Sequence, residues 1–180
     1  MSGEQPVEDR FFEDVGDGSP RSSVLFGHLW LEAELLNSLR AAMPFPNQVS
    51  LIRLPFDLKV GLVAAHGLMA EDEKGAFKRL NVLRNRIVHD LHYDLAEKDE
   101  VDLLNSLGKR HRVRFAMVVR NDAEPMIFPD KLQMAINVMR TSLQLDREAA
   151  EAAHVRLRAA AIRVQDAVRN GRPADGVPGS

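Results

Sequence analysis

The chain has 180 residues, no cysteine and a formal net charge of −2. That length suits one domain burying about 70% of the surface its unfolded chain exposes. Without cysteine there are no disulfides and no thiolate chemistry, which is compatible with a cytoplasmic protein, and the near-neutral balance gives no global attraction to nucleic acid or membrane. No run of about 18 apolar residues reads as a membrane span, and the acidic start is unlike a secretory signal.

Residues 1–20 hold Glu4, Glu8, Asp9, Glu13, Asp14 and Asp17 against Arg10, with Gly and Pro punctuation and little periodicity. They read as a disordered acidic arm, and residues 171–180 as a disordered tail. The folded domain is expected over 21–170. Its first helix is predicted from about Ser22 to Met43, capped by Ser22 or Ser23 and stopped before Pro44. Leu25, Leu29, Leu35, Leu36 and Leu39 form its apolar arc, with Glu32 inside that arc.

Pro44, Pro46 and Asn47 make a connection, and a short helix follows from about Leu54 to His66 or Gly67, with Phe56, Val60 and Val63 on one face. Gly67-Leu68 suits a helix C-cap. Glu71, Asp72 and Glu73 then place negative charge where the next helix dipole prefers it.

That next helix carries the densest chemical information, between Phe77 and His92. At about 100° per residue, Phe77, Leu80, Leu83, Ile87, Val88 and Leu91 share an apolar arc. Arg84 falls in its middle, while Asn81, Asn85, His89 and His92 make an uncharged polar face. A charge in an apolar seam needs a partner. Glu32 is the opposite charge in another seam, so a Glu32–Arg84 pair inside the bundle is expected; the alternative is that each side chain reaches the surface separately.

Leu95 to Leu107 is a further amphipathic segment. Beyond Gly108, Lys109, Arg110, Arg112 and Arg114 form the densest basic run and are the candidate RNA contacts. The alternation Val113, Phe115, Met117 favours an extended segment there, although Leu104, Leu107, His111 and Val118 also fit a continued helix. Asn121 to Pro129 reads as a loop. A last helix from about Pro129 to Asn170 repeats Leu132, Ile136, Met139, Leu143, Asp146, Ala150, Ala153, Leu157, Ala160 and Val164 at heptad spacing. It would span about 60 Å, so its second half must project, bend back or pack on another subunit. No Gly-rich phosphate loop, HExxH pair, clustered metal-ligand spacing or serine elbow appears, so no metal or cofactor is expected.

The segment Arg84-Asn85-Arg86-Ile87-Val88-His89 resembles the Arg-x4-His motif of the HEPN superfamily. It is also similar to helical proteins of the mannitol-repressor type, which carry a Leu-Arg-Asn-x-x-x-His-Asp segment. The resemblance covers about residues 20–107 and implies an all-α bundle of four to five helices with a long C-terminal helix. It also implies a metal-independent endoribonuclease, acting as a toxin or defence effector, with Arg84, Asn85 and His89 as catalytic residues. Its motif copies would face each other in a homodimer, and an antitoxin would be a natural partner. The mannitol-repressor likeness implies instead a regulator that acts through protein–protein contacts. Where paired toxins of this group carry tyrosine two residues after the histidine, this chain has Leu91, with Tyr93 two residues further on. Arg84 and His89 lie about 140° apart on a helix. Either the helix ends near His89 or the site is completed across subunits.

Overall fold

The computed structural model describes residues 7–16, 19–43, 45–121 and 126–169. It is an all-α bundle of α1 (Val7–Gly16), α2 (Pro20–Ala42), α3 (Phe56–Ala65), α4 (Lys74–His89), α5 (Glu97–Asn105), α6 (Lys109–Asn121) and α7 (Asp130–Arg169). Short 3-10 turns at Pro46–Gln48, Leu51–Arg53 and Glu71–Glu73 link α2 to α3 and α3 to α4. Among the described residues there is no strand, and no helix is long and apolar enough to cross a membrane.

The central helix is α2. Ser19 rather than Ser22 or Ser23 caps it, accepting from the Ser22 amide, with Pro20 in the first turn where its missing N–H costs nothing. Val24, Leu31, Leu35 and Leu39 are buried, as is Gly27. A Cβ on Gly27 would lie 2.8 Å from Ile136 Cδ1 and Cγ2, so glycine allows α2 and α7 to approach closely. Around α2 sit α1, α3, α4 and α7, and α5 and α6 close the bundle against α4 and α7.

Two expectations are corrected. Part of the acidic arm is helical: α1 buries Phe11 and Val15 against α2 and α7, the Trp30 indole donates to Asp14, and the Ser23 hydroxyl donates to the Val15 carbonyl. Arg10 and Glu13 beside them are exposed, so composition hid two well-spaced core residues. Residues 1–6, 17 and 18, and the tail 170–180, lie outside the described residues.

The segment after Gly108 is helix rather than extended chain. Asp72 accepts from the Lys109 amide at 2.8 Å and so caps α6, while Leu107 and His111 are buried one turn apart. Gly108 lets this corner close, because a Cβ there would meet Glu73 Cγ at 2.7 Å and Glu73 Cα at 3.0 Å.

The long C-terminal helix divides in two. Leu132, Ile136, Met139 and Leu143 are buried, whereas residues 151–156 are all exposed and Val155 is 68% exposed. No described element covers this distal half, although its heptad pattern continues.

Candidate active site

Helix α4 forms because Phe77, Leu80, Leu83 and Ile87 return to one face every three or four residues, and all four are buried. It ends at His89. Asp90 takes extended backbone angles, its amide still bonds the Arg86 carbonyl, and its carboxylate accepts from the His92 amide at 2.9 Å. Val88 and Leu91, expected in the apolar arc, are exposed because the helix stops before a further turn could bury them. His89 stands exposed on the terminal helical residue, and Asn85 is exposed one turn earlier.

Arg84 is half-buried, and its Nη1 donates to Asn85 Oδ1 at 3.0 Å. The expected Glu32–Arg84 pair does not form. Glu32 instead holds Lys59 of α3, whose ammonium is only 1% exposed and also donates to the Ile52 carbonyl at 3.3 Å. A fully buried ammonium needs a counter-charge more than a half-buried guanidinium does, so Lys59 takes the carboxylate. Nothing marked Lys59 in the sequence, because its position in the short α3 is flanked by the apolar Phe56, Val60 and Val63. Among the described residues Arg84 has no carboxylate within ion-pair distance.

Beside Arg84 a polar chain that the sequence did not disclose runs from buried His28 through half-buried Asn81 to exposed Asp57. The His28 ring stacks on Phe56 with centroids 4.2 Å apart, and its Nε2 lies 3.1 Å from Asn81 Oδ1. Asn81 Nδ2 donates to Asp57 Oδ1 at 3.2 Å, which fixes the amide with its oxygen toward His28 and makes Nε2 the protonated nitrogen. Burial pushes the His28 pKa down, against a smaller opposing pull from Glu32, so the ring stays neutral at pH 7. Three helices are thus tied together behind Arg84 by hydrogen bonds through one α4 asparagine.

No family model, curated protein or solved structure matches this chain.

The basic run is divided by its own helix. Arg110 bridges Glu73, through Nε and Nη2 at 2.7 and 2.8 Å, and Asp146 of α7. Its guanidinium pKa is raised, first by Asp146 and then by Glu73. Arg114 donates to Ser142 Oγ of α7 at 2.6 Å, and Arg112 to the Asn105 carbonyl at 2.8 Å. Arg110 is therefore neutralised inside the fold, whereas Lys109 and Arg112 stay exposed. His111 is buried with Nε2 3.4 Å from Glu73 Oε1, and burial, above all, lowers its pKa. Among the described residues no group of three His, Asp or Glu side chains is placed to hold a metal ion.

Two outcomes follow for stability. Glu32→Gln keeps an acceptor for Lys59 but removes its counter-charge, and should cost about 2 kcal/mol in urea denaturation. An unchanged midpoint and slope would show that Lys59 does not depend on Glu32. Acid should also weaken the fold. His28 and His111 have folded pKa values below the ordinary 6.5, so the unfolded chain takes up their protons first. Their stabilisation is complete above pH 6.5 and falls as pH drops below it. Glu100, raised by burial, works the opposite way from pH 4.5 upward, so the window just below pH 6.5 is the cleanest. A denaturation midpoint that held constant from pH 7.5 to 5.5 would contradict this.

Proposed function

We propose that the chain is a metal-independent endoribonuclease of the HEPN type, acting as a toxin or defence effector. The observation that carries this reading is the end of α4: an exposed His89 on the last helical residue, with Arg84, five residues back, free of any described carboxylate partner. Histidine exchanges protons near neutral pH, and arginine stabilises phosphorane-like charge without titrating. In the reaction the RNA 2′-oxygen bonds to phosphorus as the 5′-oxygen departs; imidazole takes the 2′ proton, and a protonated imidazole supplies one to the leaving oxygen. Asn85, bonded to Arg84 and one turn before His89, orients the guanidinium or contacts phosphate. Since α4 ends at His89, helix geometry alone does not demand a second subunit, and the homodimer, with two motif copies facing each other, is carried by the HEPN resemblance. Exposed Lys109 and Arg112 remain available to RNA phosphates. The deciding experiment is RNA cleavage by purified protein in EDTA, wild type against His89→Ala.

A second reading, a mannitol-repressor-like regulator, draws on the uncovered distal half of α7, where Val155, Ile162 and Val164 are exposed. Under it, truncation after residue 150 would abolish the cellular phenotype while His89→Ala would leave it intact.

A further inference from the structure

Arg21 stands in the first turn of α2, where the helix dipole disfavours a cation and where no acidic residue accompanies it. Its guanidinium is turned away from its own helix toward the C-terminal end of α4. There Nη1 donates to the Tyr93 carbonyl at 2.7 Å and the Leu91 carbonyl at 3.1 Å, and Nη2 donates to the Ile87 carbonyl at 3.3 Å. These three acceptors bracket His89: one lies two residues before it, the others two and four after. A helix C-terminus leaves carbonyls without partners and carries partial negative charge, so a planar fork with several donors suits it better than an ammonium would. The Asp90 carboxylate holds the same turn from within, through the His92 amide.

Resting on the nuclease reading above, we propose that Arg21 is a positioning residue for His89. By bridging carbonyls on both sides of the histidine, it stops α4 at that residue and prevents the last turn from fraying, which fixes the direction in which the imidazole leaves the helix. It touches neither substrate nor reacting atoms. Its loss should therefore lower the rate of the chemical step with little effect on RNA binding.

The test compares wild type, Arg21→Ala and Arg21→Lys, each confirmed as folded by circular dichroism. RNA affinity and single-turnover cleavage are measured on the full chain, together with amide hydrogen exchange. Arg21→Ala should cleave at least tenfold more slowly with RNA affinity within about twofold, and free guanidinium ion should restore part of the rate. Arg21→Lys should recover little, since one ammonium cannot span three carbonyls. Exchange should accelerate at residues 89–93 and stay unchanged in α2 and the buried half of α7. Cleavage at the wild-type rate, or a loss explained wholly by weaker RNA binding, would overturn the proposal. If wild type itself cuts no RNA, the nuclease reading fails, and exchange still decides the clamp: acceleration confined to 89–93 upholds it, and unchanged exchange removes it.

Discussion

His89→Ala is expected to abolish RNA cleavage in EDTA while leaving the unfolding free energy in urea within about 0.5 kcal/mol of wild type. The side chain is exposed at the end of α4 and takes no part in the core, so its removal leaves no cavity and strands no charge. Loss of positioned proton transfer alone lowers such rates about 100- to 10,000-fold. Arg84→Lys should fail differently. It keeps the positive charge but loses the planar fork that bonds Asn85, and cleavage should drop about 100-fold with RNA binding largely retained. Since Lys59 rather than Arg84 neutralises Glu32, Arg84→Ala is also expected to fold, which makes it an informative variant. Equal toxicity of wild type and His89→Ala on induced expression, with no cleavage by either protein, would remove the nuclease reading.

Glu73→Ala is expected to cost about 4 kcal/mol, a large share of the 5–15 kcal/mol that holds a domain of this kind together. Glu73 is 1% exposed and serves several groups at once. It accepts from Nε and Nη2 of Arg110 and from the Ala70 amide at 2.9 Å, and faces the buried His111 ring. Removing it takes one of two carboxylate partners from Arg110 and deprives the Ala70 amide of its acceptor and the buried His111 ring of its facing carboxylate, at the junction of α4, α6 and α7. Arg110 keeps Asp146, so Arg110→Ala should strand Glu73 more severely than Glu73→Ala strands Arg110. Urea denaturation of both variants checks this, and near-wild-type midpoints would show that the cluster contributes no net stability.

Much of the fold could be read from local chemistry. The expected stop before Pro44 agrees with α2 ending at Ala42, Pro55 and Gly67 flank α3, and the apolar spacing of α4 and of the first half of α7 encodes their buried faces. Local pattern failed where distant residues decide the outcome. Acidic composition masked α1, whose stability comes from placing Phe11 and Val15 against α2 and α7. The alternation of Val113, Phe115 and Met117 imitated a strand, but Val113 and Met117 are exposed, and Asp72, Glu73 and Asp146 hold the segment as helix. Asp146 carried a usable signal: a carboxylate interrupting a heptad seam asks for a cation, and Arg110 answers it. At the candidate site the sequence brought forward Arg84, Asn85 and His89. It could not show Lys59, whose claim on Glu32 depends on burial, nor His28 and Asp57, which reach Asn81 only once three helices are assembled.

The partnership of α2 with α7 also governs the order in which the molecule can form. Gly27 receives Ile136, Gln133 donates to Ser23 Oγ across 110 residues of sequence, and Arg147 bonds Glu34 across 113. During synthesis α2 is covered at first only by α1, α3 and α4, and the face it presents to α7 waits for about 100 further residues. Closing so long a loop is entropically costly before its contacts can repay it, so α1 to α4 should form a loose nascent hairpin assembly that locks only when α7 arrives. A ribosome stalled before residue 130 would then carry a protease-sensitive chain, and one stalled well beyond residue 147 a resistant one.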